Sequence, residues 1–178
     1  MLIARFSGPE QPLYVMKERT VLLIILYTRI TAVSLESAEV LAETPLREGL
    51  RWLSGRYFVD ATDLWFVSWD GAQARWDKAQ SHSSRRPKDL LVVFERAGVG
   101  PWALLRDGCI VSPVGAEVMR LTPKPDSASL NGQGTEIVML HGRSAAVRIL
   151  ETKTLETRRY AKPPEGGGVE IAPPSRPG

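Results

Sequence analysis

The chain has 178 residues, of which 43% are hydrophobic and 24% charged, with 23 Lys and Arg against 20 Asp and Glu. Those proportions exclude disorder over most of the length, and a net charge of +3 is a mild bias that leaves partners of either sign open, since a dedicated nucleic-acid binder usually carries a stronger cationic stripe. The single cysteine, Cys109, excludes an intramolecular disulfide and a multi-cysteine zinc site; it fits a reducing compartment, so a cytoplasmic protein is expected.

Pro9, Pro12, Lys17 and Glu18 interrupt any leader-like apolar core near the start. The run from Val21 to Tyr27 is continuously apolar and bounded by Arg19 and Arg29, far short of the roughly 20 residues that span a bilayer. It predicts a strand covered on both faces, since such a run cannot alternate between core and water. No membrane association is expected. Thr28-Arg29 turns the chain into a second strand over 30–35. Between 34 and 53 the leucines Leu35, Leu41, Leu46, Leu50 and Leu53 lie loosely along one helical face, but Pro45 sits inside. Strands are expected there, with a short helical turn at 46–53 as the other reading.

Segments 64–69 and 72–76 flank Asp70-Gly71, 101–105 and 109–111 flank Asp107-Gly108, and 136–140 and 145–149 flank His141-Gly142. A polar residue followed by glycine suits the positive φ of a tight hairpin turn. The breaker-rich stretches 79–89 and 122–134 read as long loops, and 161–178, with its Pro-Pro and Gly-Gly-Gly runs, reads as a disordered tail. A single β-rich domain over 1–160 is left.

The turn glycines Gly71, Gly108 and Gly142 stand 37 and 34 residues apart, and Thr28-Arg29 adds a less regular fourth member upstream. Each unit shows three strands. A fourth is available at 13–16, 50–53 and 90–94, while the last unit lacks a good candidate. A period near 40 residues resembles the blade of a β-propeller. The stretch 67–77, opening on Val67, looks like the tryptophan-aspartate repeat family with Trp76-Asp77 in the signature position; Leu35-Glu36 and Leu150-Glu151 are the nearest counterparts, and no Gly-His dipeptide opens a unit. The resemblance implies a mostly β, propeller-like fold of about four antiparallel hairpin repeats, closed on itself or completed by a second copy. A β-sandwich, an irregular barrel and an α+β domain are the alternatives that share the same hairpins. In the repeat register, the turns at 70–71, 107–108 and 141–142 fall on one rim, with the basic loop leaving from a different level.

The chemistry-bearing residues form no reactive grouping. His82 and His141 have no second ligand at metal spacing and read as exposed turn residues. Cys109 reads as a small buried hydrophobe. Asp60 and Asp63, ahead of Trp65, read as turn caps. Four tryptophans, Trp65, Trp69, Trp76 and Trp102, lie in apolar strand patterns and read mostly as core. No catalytic residue, metal or cofactor is expected. The densest basic cluster is Arg85, Arg86 and Lys88, in a loop with His82, where arginine forks match phosphate oxygens. Two functions follow as expectations. The first is a non-enzymatic scaffold whose loops hold a protein partner; the alternative is a nucleic-acid binder using that loop with Arg158 and Arg159.

Overall fold

The computed structural model describes residues 11–79, 86–96, 99–142 and 146–160. Among the described residues sixteen strands form four separate four-stranded antiparallel sheets, each a simple meander in chain order. The first holds β1 (Tyr14–Glu18), β2 (Val21–Ile25), β3 (Arg29–Ser34) and β4 (Val40–Pro45). The second holds β5 (Arg51–Ser54), β6 (Tyr57–Val59), β7 (Leu64–Trp69) and β8 (Ala74–Lys78). The third holds β9 (Leu90–Arg96), β10 (Val99–Leu105), β11 (Cys109–Val111) and β12 (Glu117–Arg120). The fourth holds β13 (Ser127–Leu130), β14 (Glu136–His141), β15 (Ala146–Glu151) and β16 (Thr157–Tyr160). The sheets are the blades of a four-bladed propeller, as the repeat implied, with β1, β5, β9 and β13 nearest the axis.

Blade packing follows from the apolar runs. Leu23, Ile24 and Ile25 of β2 are all at most 2% exposed, so this strand is covered on both faces as its composition requires. Leu23 and Ile25 meet Phe58 and Val67 of the second blade, where the Phe58 and Trp76 rings stand edge to face at 4.8 Å and 82°. Tyr57, Val59 and Leu64 face Val93, Ala103, Leu105 and Cys109 of the third. Val92, Phe94, Leu104 and Ile110 face Ile137, Met139 and Leu150 of the fourth. Between the second and third blades, Ser54 Oγ donates to Val93 O at 2.7 Å and accepts from Val93 N at 2.9 Å.

Several expectations need correction. The stretch 122–134 is not one loop: Ser127–Leu130 pairs with β14 as the fourth blade's inner strand. No helical turn forms at 46–53, where β4 ends at Pro45 and β5 begins at Arg51. The three polar-glycine turns do not share a rim. Asp70-Gly71 joins the third and fourth strands of its blade, whereas Asp107-Gly108 and Gly142 join second and third strands at the opposite end. The proper counterpart in the second blade is the turn at 60–63, which contains no glycine. The turn Pro87–Asp89 lies on the same rim as Asp107-Gly108, and Arg106 Nε and N donate to Lys88 O and Asp89 O, each at 2.9 Å. Gly108 is needed where it stands: its φ is +87°, and a Cβ there would lie 2.8 Å from Leu121 O.

His141 is a strand residue rather than an exposed turn residue; it is 5% exposed, and its Nδ1 lies 3.1 Å from Lys124 O. The tryptophans stand at the margin of the core, all half-buried, with Arg47 stacked 4.3 Å over Trp65 and Arg96 4.9 Å over Trp102. Their size and single N–H donor suit a boundary position better than a dry centre. The 161–178 tail lies outside the described residues. Among the described residues no helix is long and apolar enough to cross a membrane.

Candidate functional site

A cavity of about 200 Å³ lies on the propeller axis and is lined from all four blades: Tyr14 and Met16, Arg56 and Tyr57, Phe94 and Glu95, and Leu130 with Gln133 and Gly134. It sits at the rim where first strands turn into second strands. The β5–β6 turn brings Arg56 over the axis, because Gly55 at φ +54° lets the chain reverse within two residues. A Cβ on Gly55 would already lie 3.5 Å from Leu130 and 3.8 Å from the Tyr14 ring, so the turn approaches both neighbours closely.

Arg56 joins three blades. Its Nη1 meets Glu18 Oε1 at 2.7 Å and its Nε meets Glu95 Oε1 at 3.3 Å. Glu18 also accepts the Trp69 backbone N–H at 2.7 Å, which fixes that carboxylate between the first and second blades. Tyr57 donates its hydroxyl to Glu95 Oε1 at 3.2 Å. Burial first, and then the Glu95 charge, hold both tyrosine hydroxyls, Tyr14 and Tyr57, above the usual phenol range. Both stay neutral donors across the physiological range. The arrangement is two carboxylates, one guanidinium and two phenols around a cavity floored by Met16 and Phe94, with one formal negative charge in excess.

None of these residues stood out in the sequence. They sit on four different blades and form no local motif; only the meander topology brings them together. Of the loop residues that did stand out, His82 and Arg85 lie outside the described residues. Arg86 and Lys88 are exposed on either side of Pro87 in a single 3-10 turn (Pro87–Asp89) leading into β9. Arg158 is exposed on β16, the outermost strand of the fourth blade, and the Arg159 side chain lies outside the described residues. A second depression beside that turn, about 310 Å³, mixes Asp89 and Asp107 with Arg106 and Lys124 and has no dominant sign.

Cys109 is fully buried, and burial, followed by the neighbouring Glu117, pushes its thiol up to about 11, which suits packing rather than nucleophilic attack. Asp60 is a turn cap as expected: its Oδ1 accepts from Thr62 N at 2.8 Å and Asp63 N at 2.7 Å. Those backbone bonds lower its carboxyl from 3.8 to about 2. Its Oδ2 accepts from Trp65 Nε1 at 2.8 Å. No group of three or more metal-ligating side chains occurs among the described residues.

No family model matches the chain, and no curated protein is significantly similar to it. Trp76-Asp77, the local tryptophan-aspartate likeness, lies in the outermost strand β8, where Asp77 accepts from Ser68 Oγ at 3.1 Å. Among solved structures the chain is similar to Hsv2 of Kluyveromyces lactis, at 9% identity and a TM-score of 0.41. The likeness covers 79% of this chain and 49% of that one, so this chain spans about half its length.

Proposed function

We propose that this chain is a non-enzymatic binding module that holds a segment of a protein partner at the first-turn rim of the propeller, over the axial cavity. The observation that carries the reading is the cavity itself, into which all four blades send a side chain or turn. At about 200 Å³ it is smaller than the roughly 300–1,000 Å³ of sites for cofactors and metabolites, and it suits one side chain of a longer ligand. Turns on a rigid β scaffold supply the surrounding contacts, and such loops are where binding residues gather. The acid–base and nucleophilic constellations that catalysis requires find no support in Asp60, which caps a turn, or Cys109, which is buried.

The test is selection of a short-peptide display library on the immobilised protein, followed by affinity measurement on a variant with the cavity mouth plugged. Gln133 is exposed and lines the mouth, so Gln133→Trp obstructs entry without disturbing the core. Selected peptides are expected to bind the parent and to lose at least about tenfold in Kd on Gln133→Trp, a loss of about 1.4 kcal/mol. Equal affinity for parent and variant overturns the placement of the site. Enrichment of polyanions instead, with a steep salt dependence removed by Arg86→Ala with Lys88→Ala, moves the function to nucleic-acid binding.

A further inference from the structure

Resting on that reading, we infer that the axial cavity selects a basic side chain, lysine or arginine, as the anchor of the bound segment. Charge arithmetic decides the sign. Among the described residues Arg56 is the only cation lining the cavity, and it is already held by Glu18 at 2.7 Å and Glu95 at 3.3 Å, so its charge is matched before any ligand arrives. One carboxylate charge remains uncompensated. It resides on Glu95, whose Oε1 takes both the Arg56 and the Tyr57 bonds; at 48% exposure Glu95 is accessible from the mouth, whereas Glu18 is 17% exposed behind Arg56.

The walls fit the rest of such a side chain. Met16 and Leu130 line the cavity with apolar groups that suit an aliphatic stem, while the Tyr14 and Tyr57 rings stand beside the point where the cationic head meets Glu95. Long basic side chains bury their stems in this way with the charge at a polar end, and an aromatic neighbour adds attraction to a cation. An acidic side chain meets the opposite field. A neutral aliphatic one fills the space but leaves Glu95 partly desolvated beneath the segment, an uncompensated cost.

The experiment uses the peptides selected above, synthesised with the anchoring Lys or Arg, with norleucine in its place and with Glu in its place, each titrated against the parent protein and Glu95→Gln. Glu95→Gln keeps an oxygen to accept the Tyr57 bond, and an unchanged melting temperature verifies its fold. The basic peptide is expected to lose about tenfold in Kd on Glu95→Gln, the norleucine peptide less than about twofold, so that the two changes couple. The Glu peptide is expected to bind worst to the parent and to improve on Glu95→Gln. Peptides that bind, are blocked by Gln133→Trp, and yet carry no basic residue or ignore Glu95→Gln overturn the charge inference while leaving the binding module standing. A library that yields no binder overturns both.

Discussion

The seam between the second and third blades and the seam between the fourth and the first are built differently. At the former, Val93, Ala103, Cys109 and Val111 are fully buried against the second blade, and Ser54 locks onto Val93 through two buried hydrogen bonds. At the latter, no apolar cluster of described residues spans the two blades. The face of β14 turned away from the third blade carries Val138 and Leu140, the latter 49% exposed, while Leu22, Ile24, Leu26 and Val33 form a cluster of the first blade's own. The fourth and first blades approach at the axis, where a Cβ on Gly134 would stand 3.5 Å from the Tyr14 hydroxyl. The first three seams in chain order are thus closed by shared apolar clusters, whereas the fourth and first blades share none among the described residues.

The largest expected effect lies in a sealed seam. Phe58 is fully buried between the first two blades with Trp76 edge-on beside it, so Phe58→Ala is expected to cost about 3–5 kcal/mol in urea unfolding. A loss below about 1 kcal/mol would show that the seam repacks freely and that the contrast between seams is false. Next comes Ser54→Ala, which leaves Val93 N and O without their partner inside the second seam. A loss of about 1–3 kcal/mol is expected, and amide exchange at Val93 should quicken with it.

A smaller effect sharpens the role of the glycine-free turn in the second blade. Because the Asp60 carboxyl is depressed from 3.8 to about 2 in the folded chain, its contribution is full above the ordinary value and is lost as pH falls through about 2. Asp60→Asn is expected to flatten the fall in stability between about pH 4 and pH 2, with little change in slope at neutral pH. An unchanged acid limb would mean that other carboxylates set it.

The strands were legible wherever the sequence alternates or runs apolar between breakers, as at Val21–Ile25 and Leu64–Trp69. Ser127–Leu130 was not, because its Ser-Ala-Ser-Leu pattern carries little apolar signal and lies between proline and glycine clusters. The repeat was visible while its register slipped by one strand in the second blade. The slip arose from taking glycine as the marker of equivalent turns, where Asp60 does the same work through side-chain caps. The axial site was invisible for a different reason. Tyr14, Arg56, Glu95 and Gln133 are ordinary residues at ordinary spacings, and their meaning lies wholly in which strands and turns face the axis.

The smallest effect is the most direct test of the contrast between seams. Leu140 lies on the same strand as Met139, with its side chain on the opposite face by the two-residue period of a strand. Met139 is fully buried toward the third blade, whereas Leu140 is 49% exposed on the face toward the chain's other end. Replacing a half-exposed leucine leaves no cavity and strands no polar partner, so Leu140→Ser is expected to change stability by no more than about 0.5 kcal/mol. The measurement is urea unfolding of the monomer at low concentration, so that self-association does not contribute. A loss above about 2 kcal/mol would mean that this face is covered by packing as tight as that of the other three seams. The ring would then be sealed all round, and the contrast between the seams would be false.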